Sequence, residues 1–178
     1  PFFRVLFNLI QAIHAPEFTR KDCLSNFNVV ILQTMHIIQP LKYPSFAFAW
    51  MQLIFNPVFM KAVLKDTNKE VSGRYTILVV DLMMFIRDVF TLDSAHEQEM
   101  REFFKGILRL LLVLIVNHSD YVCDNSFVIL EEISTRFVQF RNLILSAYPR
   151  GMKSPDPFDI SNQNYQNSPE YKTLPTIN

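Results

Sequence analysis

The chain has 178 residues, of which 49% are hydrophobic and 17 are phenylalanines, and its 17 Lys and Arg balance 17 Asp and Glu. That length suits one domain with a sizeable core, and the neutral balance leaves no electrostatic footprint for nucleic acid. Only three glycines are present, which disfavours turn-dense β architectures and glycine-rich phosphate loops alike; the two cysteines, Cys23 and Cys123, make no disulfide framework and point to an intracellular protein.

Helical periodicity begins at once. Phe3, Leu6, Phe7, Ile10 and Ile13 share a face, which predicts a helix over about Phe2–His14, ended by Pro16. Leu24–Ile38 repeats the pattern through Phe27, Val30, Ile31 and Met35, and Pro40 closes it. Pro44 is suited to the first turn of a third helix that runs past Trp50 to Asn56-Pro57, where it breaks, with Phe59–Leu64 as its continuation. Lys65–Ser72 is polar and reads as a connection. A fourth helix is expected over Tyr75–Phe90.

Ser94-Ala95-His96-Glu97 matches a capping box, in which the serine oxygen accepts from the third amide and the glutamate reaches back. It opens the helix that carries Phe104–Val116, the most apolar run in the chain. The first turns are amphipathic, but after Leu110 the polar face disappears, which predicts a spine buried on every side. Gly106 on this helix marks a close crossing. Ser119 is expected to cap a helix reaching about Ile133, and Arg136–Ala147 forms the last, ended by Tyr148-Pro149. The expected organisation is a helical domain over 1–150 and an extended Pro- and Asn-rich tail over 151–178, partly docked on it. About seven helices with short loops fit three to four stacked antiparallel pairs of the HEAT kind.

Candidate chemistry is sparse. No run offers the roughly 20 uncharged apolar residues of a membrane span. His96-Glu97-Gln98-Glu99-Met100 begins like a metalloprotease helix but has no second histidine, so an acidic first helical turn is the better reading. His14, His36 and His118 have no ligand spacing, and Cys123 with His118 lacks any oxyanion-hole motif. No catalytic residue, metal or cofactor is expected. Arg101, Lys105 and Arg109 form a basic stripe, either a solvated face or a strip that reads phosphate, as in RNA, or an acidic partner peptide. Phe46, Phe48 and Trp50 alternate, and Phe137, Val138 and Phe140 face more than one way. Either the domain is thick or it offers a groove to a partner.

Several stretches resemble one family. Tyr43-Pro44-Ser45-Phe46-Ala47-Phe48-Ala49-Trp50, Leu78-Val79-Val80-Asp81-Leu82, the run from Phe104 to Leu114, and Gln139-Phe140-Arg141-Asn142-Leu143-Ile144-Leu145-Ser146-Ala147-Tyr148-Pro149 followed by Pro155-Asp156-Pro157-Phe158 occur in that order. They resemble the C-terminal homology domain of the Not-one scaffold subunit of the Ccr–Not mRNA deadenylase complex. Tyr43 in place of a histidine, Ser134-Thr135 in place of Pro-Pro and the rewritten turn at 117–121 mark a divergent lineage. The resemblance implies an all-α, HEAT-like stack of antiparallel helix pairs without enzymatic activity. It further implies that the domain docks the Not-two and Not-three/five subunits and short peptides of translational repressors, supporting mRNA deadenylation, mRNA decay and translational repression in the cytoplasm and nucleus. No direct nucleic acid and no membrane are expected as partners. The surface expected to bind partners comprises Arg141, Asn142, Tyr148, Arg150, Pro155, Asp156 and Phe158; Arg141 and Asn142 are alternatively explained as holding a turn. The chain opens on Pro1 instead of Met, which reads as a piece of a longer protein.

Overall fold

The computed structural model describes residues 2–15, 23–89 and 97–149. These form α1 (Phe2–Ile13), α2 (Leu24–Ile37), a 3-10 turn (Pro44–Phe46), α3 (Ala47–Ile54), α4 (Pro57–Leu64), α5 (Lys69–Val89), α6 (Glu97–Asn117), α7 (Ser119–Glu132) and α8 (Val138–Leu145), with no strand among the described residues. The fold is all-α, as the periodicity predicts. The predicted capping box and the tail lie outside the described residues, except that Glu97 begins α6.

Local chemistry sets most boundaries. Asn56 accepts hydrogen bonds from the amides of Val58 at 3.0 Å and Phe59 at 3.4 Å, while Pro57 takes the first helical position. The chain therefore stops α3, turns by 66° and restarts as α4. Asn68 does the same for α5: its side chain accepts from the amide of Glu70 at 3.0 Å, and Asp66 accepts from the amide of Asn68 at 3.0 Å. That cap starts α5 six residues before the expected Tyr75, so half of the expected connection is helix. Ser119 is not a cap. His118 occupies the N-cap position, and Ser119 begins α7 with a buried hydroxyl that has no hydrogen-bond partner among the described residues.

The centre of the packing is α5. It lies against α2, α4 and α7, and buries Val71, Tyr75, Leu78, Val79, Leu82, Met83, Phe85 and Ile86. Tyr75 donates from its hydroxyl to the carbonyl of Ile54 at 3.1 Å, tying α5 to the end of α3. Thr76 Oγ1 lies 2.8 Å from the Tyr121 hydroxyl, tying α5 to α7. The side chain of Asp81 is 4% exposed, with Oδ2 2.7 Å from Nδ1 of His36 on α2.

The expected spine, α6, is corrected by the structure. Phe103, Ile107, Leu110, Leu111 and Leu114 are buried, but Leu112 is 46%, Val113 44% and Val116 65% exposed. They continue the exposed stripe of Glu102, Lys105 and Arg109 at helical spacing. The outer face thus changes from charged to apolar instead of closing over. Full burial would need a helix on that side, and α7 and α8 cover other sides of α6. At Gly106 a β-carbon would meet the flexible end of the Met51 side chain, with Sδ 2.8 Å away, so the glycine makes room for that side chain of α3.

Burial dominates the titration of Asp81, raising its pKa above the usual 3.8 despite the opposing hydrogen bond and charge of His36 and the more distant charge of Lys42. The folded state therefore holds this proton more tightly than the unfolded chain. Its contribution to stability is greatest below the usual carboxylate value and declines as pH rises through the raised one. Urea denaturation of the parent and of Asp81→Asn across this range cancels the other carboxylates. The parent is expected to lose ground against the variant as pH rises; a gain would contradict the assignment.

Candidate binding surface at the end of the helical stack

The C-terminal hairpin positions the surface. Phe140 is fully buried and stacks on Phe104 at 4.4 Å between centroids, with Phe137 5.5 Å from Phe140. This aromatic trio clamps α8 onto α6. Arg141 reaches back from α8: Nη1 donates to the carbonyl of Leu130 at 3.1 Å and of Ile133 at 3.2 Å. The first is a carbonyl of the last turn of α7, which has no partner within its own helix, and the second belongs to the residue just past its end; a cation there is favoured by the helix dipole.

Of the expected partner-binding residues, Arg141 therefore holds the α7–α8 turn. Asn142 is exposed and points away from the core, as do Val138, Leu145 and Tyr148. Residues 138, 142 and 145 share one face of α8, so its outer side presents two aliphatic groups around an amide. Arg150, Pro155, Asp156 and Phe158 lie outside the described residues.

Around the edge of α8 lies a groove of about 930 Å³, lined by Phe104 and Leu108 of α6, Phe137 and Val138, and the polar Ser134 and Gln139. Its rim carries Arg87 from the end of α5, Arg101 and Lys105 from α6, and Arg136 from the turn before α8. The basic stripe is thus split: Arg101 and Lys105 join the groove, whereas Arg109 is exposed on α6 outside its lining. Arg87 is bonded to Glu132 at 2.9 Å and to Asp88 at 3.2 Å, and Lys105 to Glu102 at 2.7 Å. Arg87 was not singled out by sequence; it comes from a distant helix and resembles any polar residue in an apolar stretch. The alternating aromatics divide: Trp50 is buried, Phe46 is half-buried, and Phe48 is partly exposed but packs edge-on against Phe103 at 5.3 Å.

The other candidates resolve into packing. His14 bridges the Ile10 carbonyl at 2.7 Å and Asn28 Oδ1 at 2.9 Å. The half-buried Cys123 has its thiol pKa raised by burial and by Asp120 and Asp124, the opposite of an activated nucleophile. No group of three or more His, Cys, Asp or Glu side chains that could hold a metal occurs among the described residues. No single described helix is long and apolar enough to cross a membrane.

Residues 9–178 match the family described as CCR4-Not complex component, Not1. The chain belongs to the Not1 family. It is 27% identical over 190 residues to the budding yeast "General negative regulator of transcription subunit 1", covering 99% of this chain and 9% of that protein. It is 31% identical over 187 residues to the Caenorhabditis elegans "CCR4-NOT transcription complex subunit let-711", covering all of this chain and 7% of that protein. Among solved structures it resembles a Not1 C-terminal domain in complex with Not4, with a TM-score of 0.79 and 26% identity, over 98% of this chain and 36% of that one. The NOT1 superfamily homology domain from Chaetomium thermophilum shares the fold at a TM-score of 0.85 and 20% identity, over 98% of this chain and 34% of that one. The chain thus spans less than a tenth of these curated Not1 relatives and about a third of the solved domains. The named relatives are a general negative regulator of transcription subunit and a transcription complex subunit, and the fold shared with the solved Not1 domains is helical.

Proposed function

We propose that this chain is a non-catalytic docking platform of a Ccr–Not scaffold. In this reading it anchors the Not-two and Not-three/five subunits and short peptides of translational repressors, and so supports mRNA deadenylation, decay and translational repression in the cytoplasm and nucleus. The observation that carries the reading is the outer face of α8. Val138 and Leu145 are exposed beside Asn142 on a helix fixed from behind by the Phe104–Phe137–Phe140 cluster and Arg141, and Tyr148 is exposed just past its end. An exposed aliphatic and aromatic surface on a rigid support gains affinity from burial without a cost of reordering the backbone. A solved relative, of which this chain covers 36%, is a Not1 C-terminal domain in complex with Not4. Within this reading Asn142, Tyr148, Arg150, Pro155, Asp156 and Phe158 belong to the contact surface, and Arg141 supports it.

The test is an affinity measurement between purified protein carrying this chain and the N-terminal segments of the Not-two and Not-three/five subunits. Binding that weakens at least tenfold in Leu145→Glu, with an unchanged circular dichroism spectrum, supports the reading. Absence of binding by folded protein overturns it. The second reading, RNA binding by the stripe Arg101–Lys105–Arg109, is weakened by the carboxylate of Glu102 on Lys105. Steep loss of RNA binding with added salt would restore it.

A further inference from the structure

A chain with equal numbers of acidic and basic residues gathers Arg87, Arg101, Lys105 and Arg136 around one groove, and no Asp or Glu is among its described lining residues. The walls between these cations are apolar: Phe104, Leu108, Phe137 and Val138. A groove of about 930 Å³ with this lining separates two recognition chemistries, an apolar bottom and a cationic rim. We infer that the groove takes a partner-protein segment in which carboxylates flank a large apolar side chain.

The cations derive from three separate places: the end of α5, the first half of α6 and the turn before α8. They therefore surround the occupant instead of following it along one line, as a stripe on a single helix would. Arg87 is held in place by Glu132 and Asp88, and Lys105 by Glu102, so these partners moderate the rim and tie down its long side chains. The guanidinium of Arg136 has no ion pair among those found between described residues. It is the position best placed to take a carboxylate by a two-pronged hydrogen bond. The apolar bottom rewards a Leu or Phe between the acidic residues, because side-chain burial there removes water from Leu108 and Val138.

A single strand of RNA fits this lining less well. Stacking of bases requires open aromatic faces. Phe137 and Phe140 are buried, and the ring of Phe104 is already stacked on Phe140. The groove also adjoins the outer face of α8 through Val138, so one partner chain can continue from one surface to the other. The inference rests on the docking reading and gives the chemistry of its second contact.

The experiment uses purified protein carrying the whole chain and the fluorescein-labelled peptide Gly-Asp-Glu-Phe-Asp-Leu-Gly, read by fluorescence anisotropy. The parent is expected to bind it, with affinity falling about tenfold or more in the double variant Lys105→Gln/Arg136→Glu. Replacing the acidic residues of the peptide by Asn and Gln, or its Phe and Leu by Ser, is each expected to cost at least fivefold. All the substituted protein positions are exposed, and circular dichroism confirms an unchanged fold. Equal binding by the parent and the double variant overturns the inference, as does tighter binding of labelled oligouridine than of the peptide, or no peptide binding. Retained binding of the Not-two and Not-three/five segments in the double variant shows that the docking reading survives such a failure. Loss of that docking in the parent itself is the failure of the broader reading.

Discussion

Trp50→Ala is expected to destabilise the domain by about 3–5 kcal/mol, a large share of the roughly 5–15 kcal/mol that holds a domain folded. Trp50 is 0% exposed, and its indole Nε1–H donates to the carbonyl of Met35 at 2.8 Å. The residue therefore contributes twice. Its ring fills the space behind α3, and its N–H satisfies a buried carbonyl near the end of α2. Truncation to alanine opens a cavity that the close-packed core around it fills only in part. Trp50→Phe separates the two contributions, because most of the ring volume stays while the donor is lost. That change is expected to cost about 1–3 kcal/mol. Since this is the sole tryptophan, urea unfolding is followed by circular dichroism for all three proteins. A cost below about 1 kcal/mol for Trp50→Ala would contradict the packing.

Arg141→Leu is the second large effect. It removes two charge-assisted hydrogen bonds to carbonyls at the end of α7 and just beyond it, each ordinarily worth about 1.5–3 kcal/mol, although one guanidinium nitrogen shared between two carbonyls gives less than the full sum. An expected loss of about 2–4 kcal/mol corresponds to a fall in Tm of roughly 5–15 °C for a domain of this size. Arg141→Lys keeps the charge near the helix terminus but not the planar guanidinium whose Nη1 reaches both carbonyls, so it lies between the parent and the leucine variant. Asn142→Ala, on the exposed side of the same helix, is expected to stay within about 0.5 kcal/mol. Neighbouring residues in one motif thus separate into support and surface. A leucine variant as stable as the parent would show that the α7–α8 turn stands without Arg141.

Much of the fold was legible because local signals set it. Pro57 with Asn56 before it announces the turn from α3 to α4, and the apolar spacing of α1, α2 and α6 identifies their buried faces. The start of α5 was missed because Lys69, Glu70, Gly73 and Arg74 look like a loop. The signal lay in Asn68, a helix-capping residue followed by an acidic first turn. The exposure of Leu112, Val113 and Val116 could not be read from composition. An apolar residue records a tendency to be covered, whereas cover depends on where other helices are placed. The groove was illegible for the same reason. Arg87 and Arg136 are 49 positions apart in the chain and meet only after α5, α6 and α8 have packed. The family motif carried information that periodicity lacked: it marked Gln139–Pro149 as a unit, and the structure explains its inward half through Phe140 and Arg141.

The claim that this Not1 chain is a docking platform is tested most directly by hydrogen–deuterium exchange of purified protein with and without the Not-two and Not-three/five segments. The account predicts that added partner slows exchange in α8 and the adjoining middle of α6, around Val138–Leu145 and Phe104–Leu108, while α5 exchanges slowly in both states. Bound partner with no added protection in α8 would contradict it.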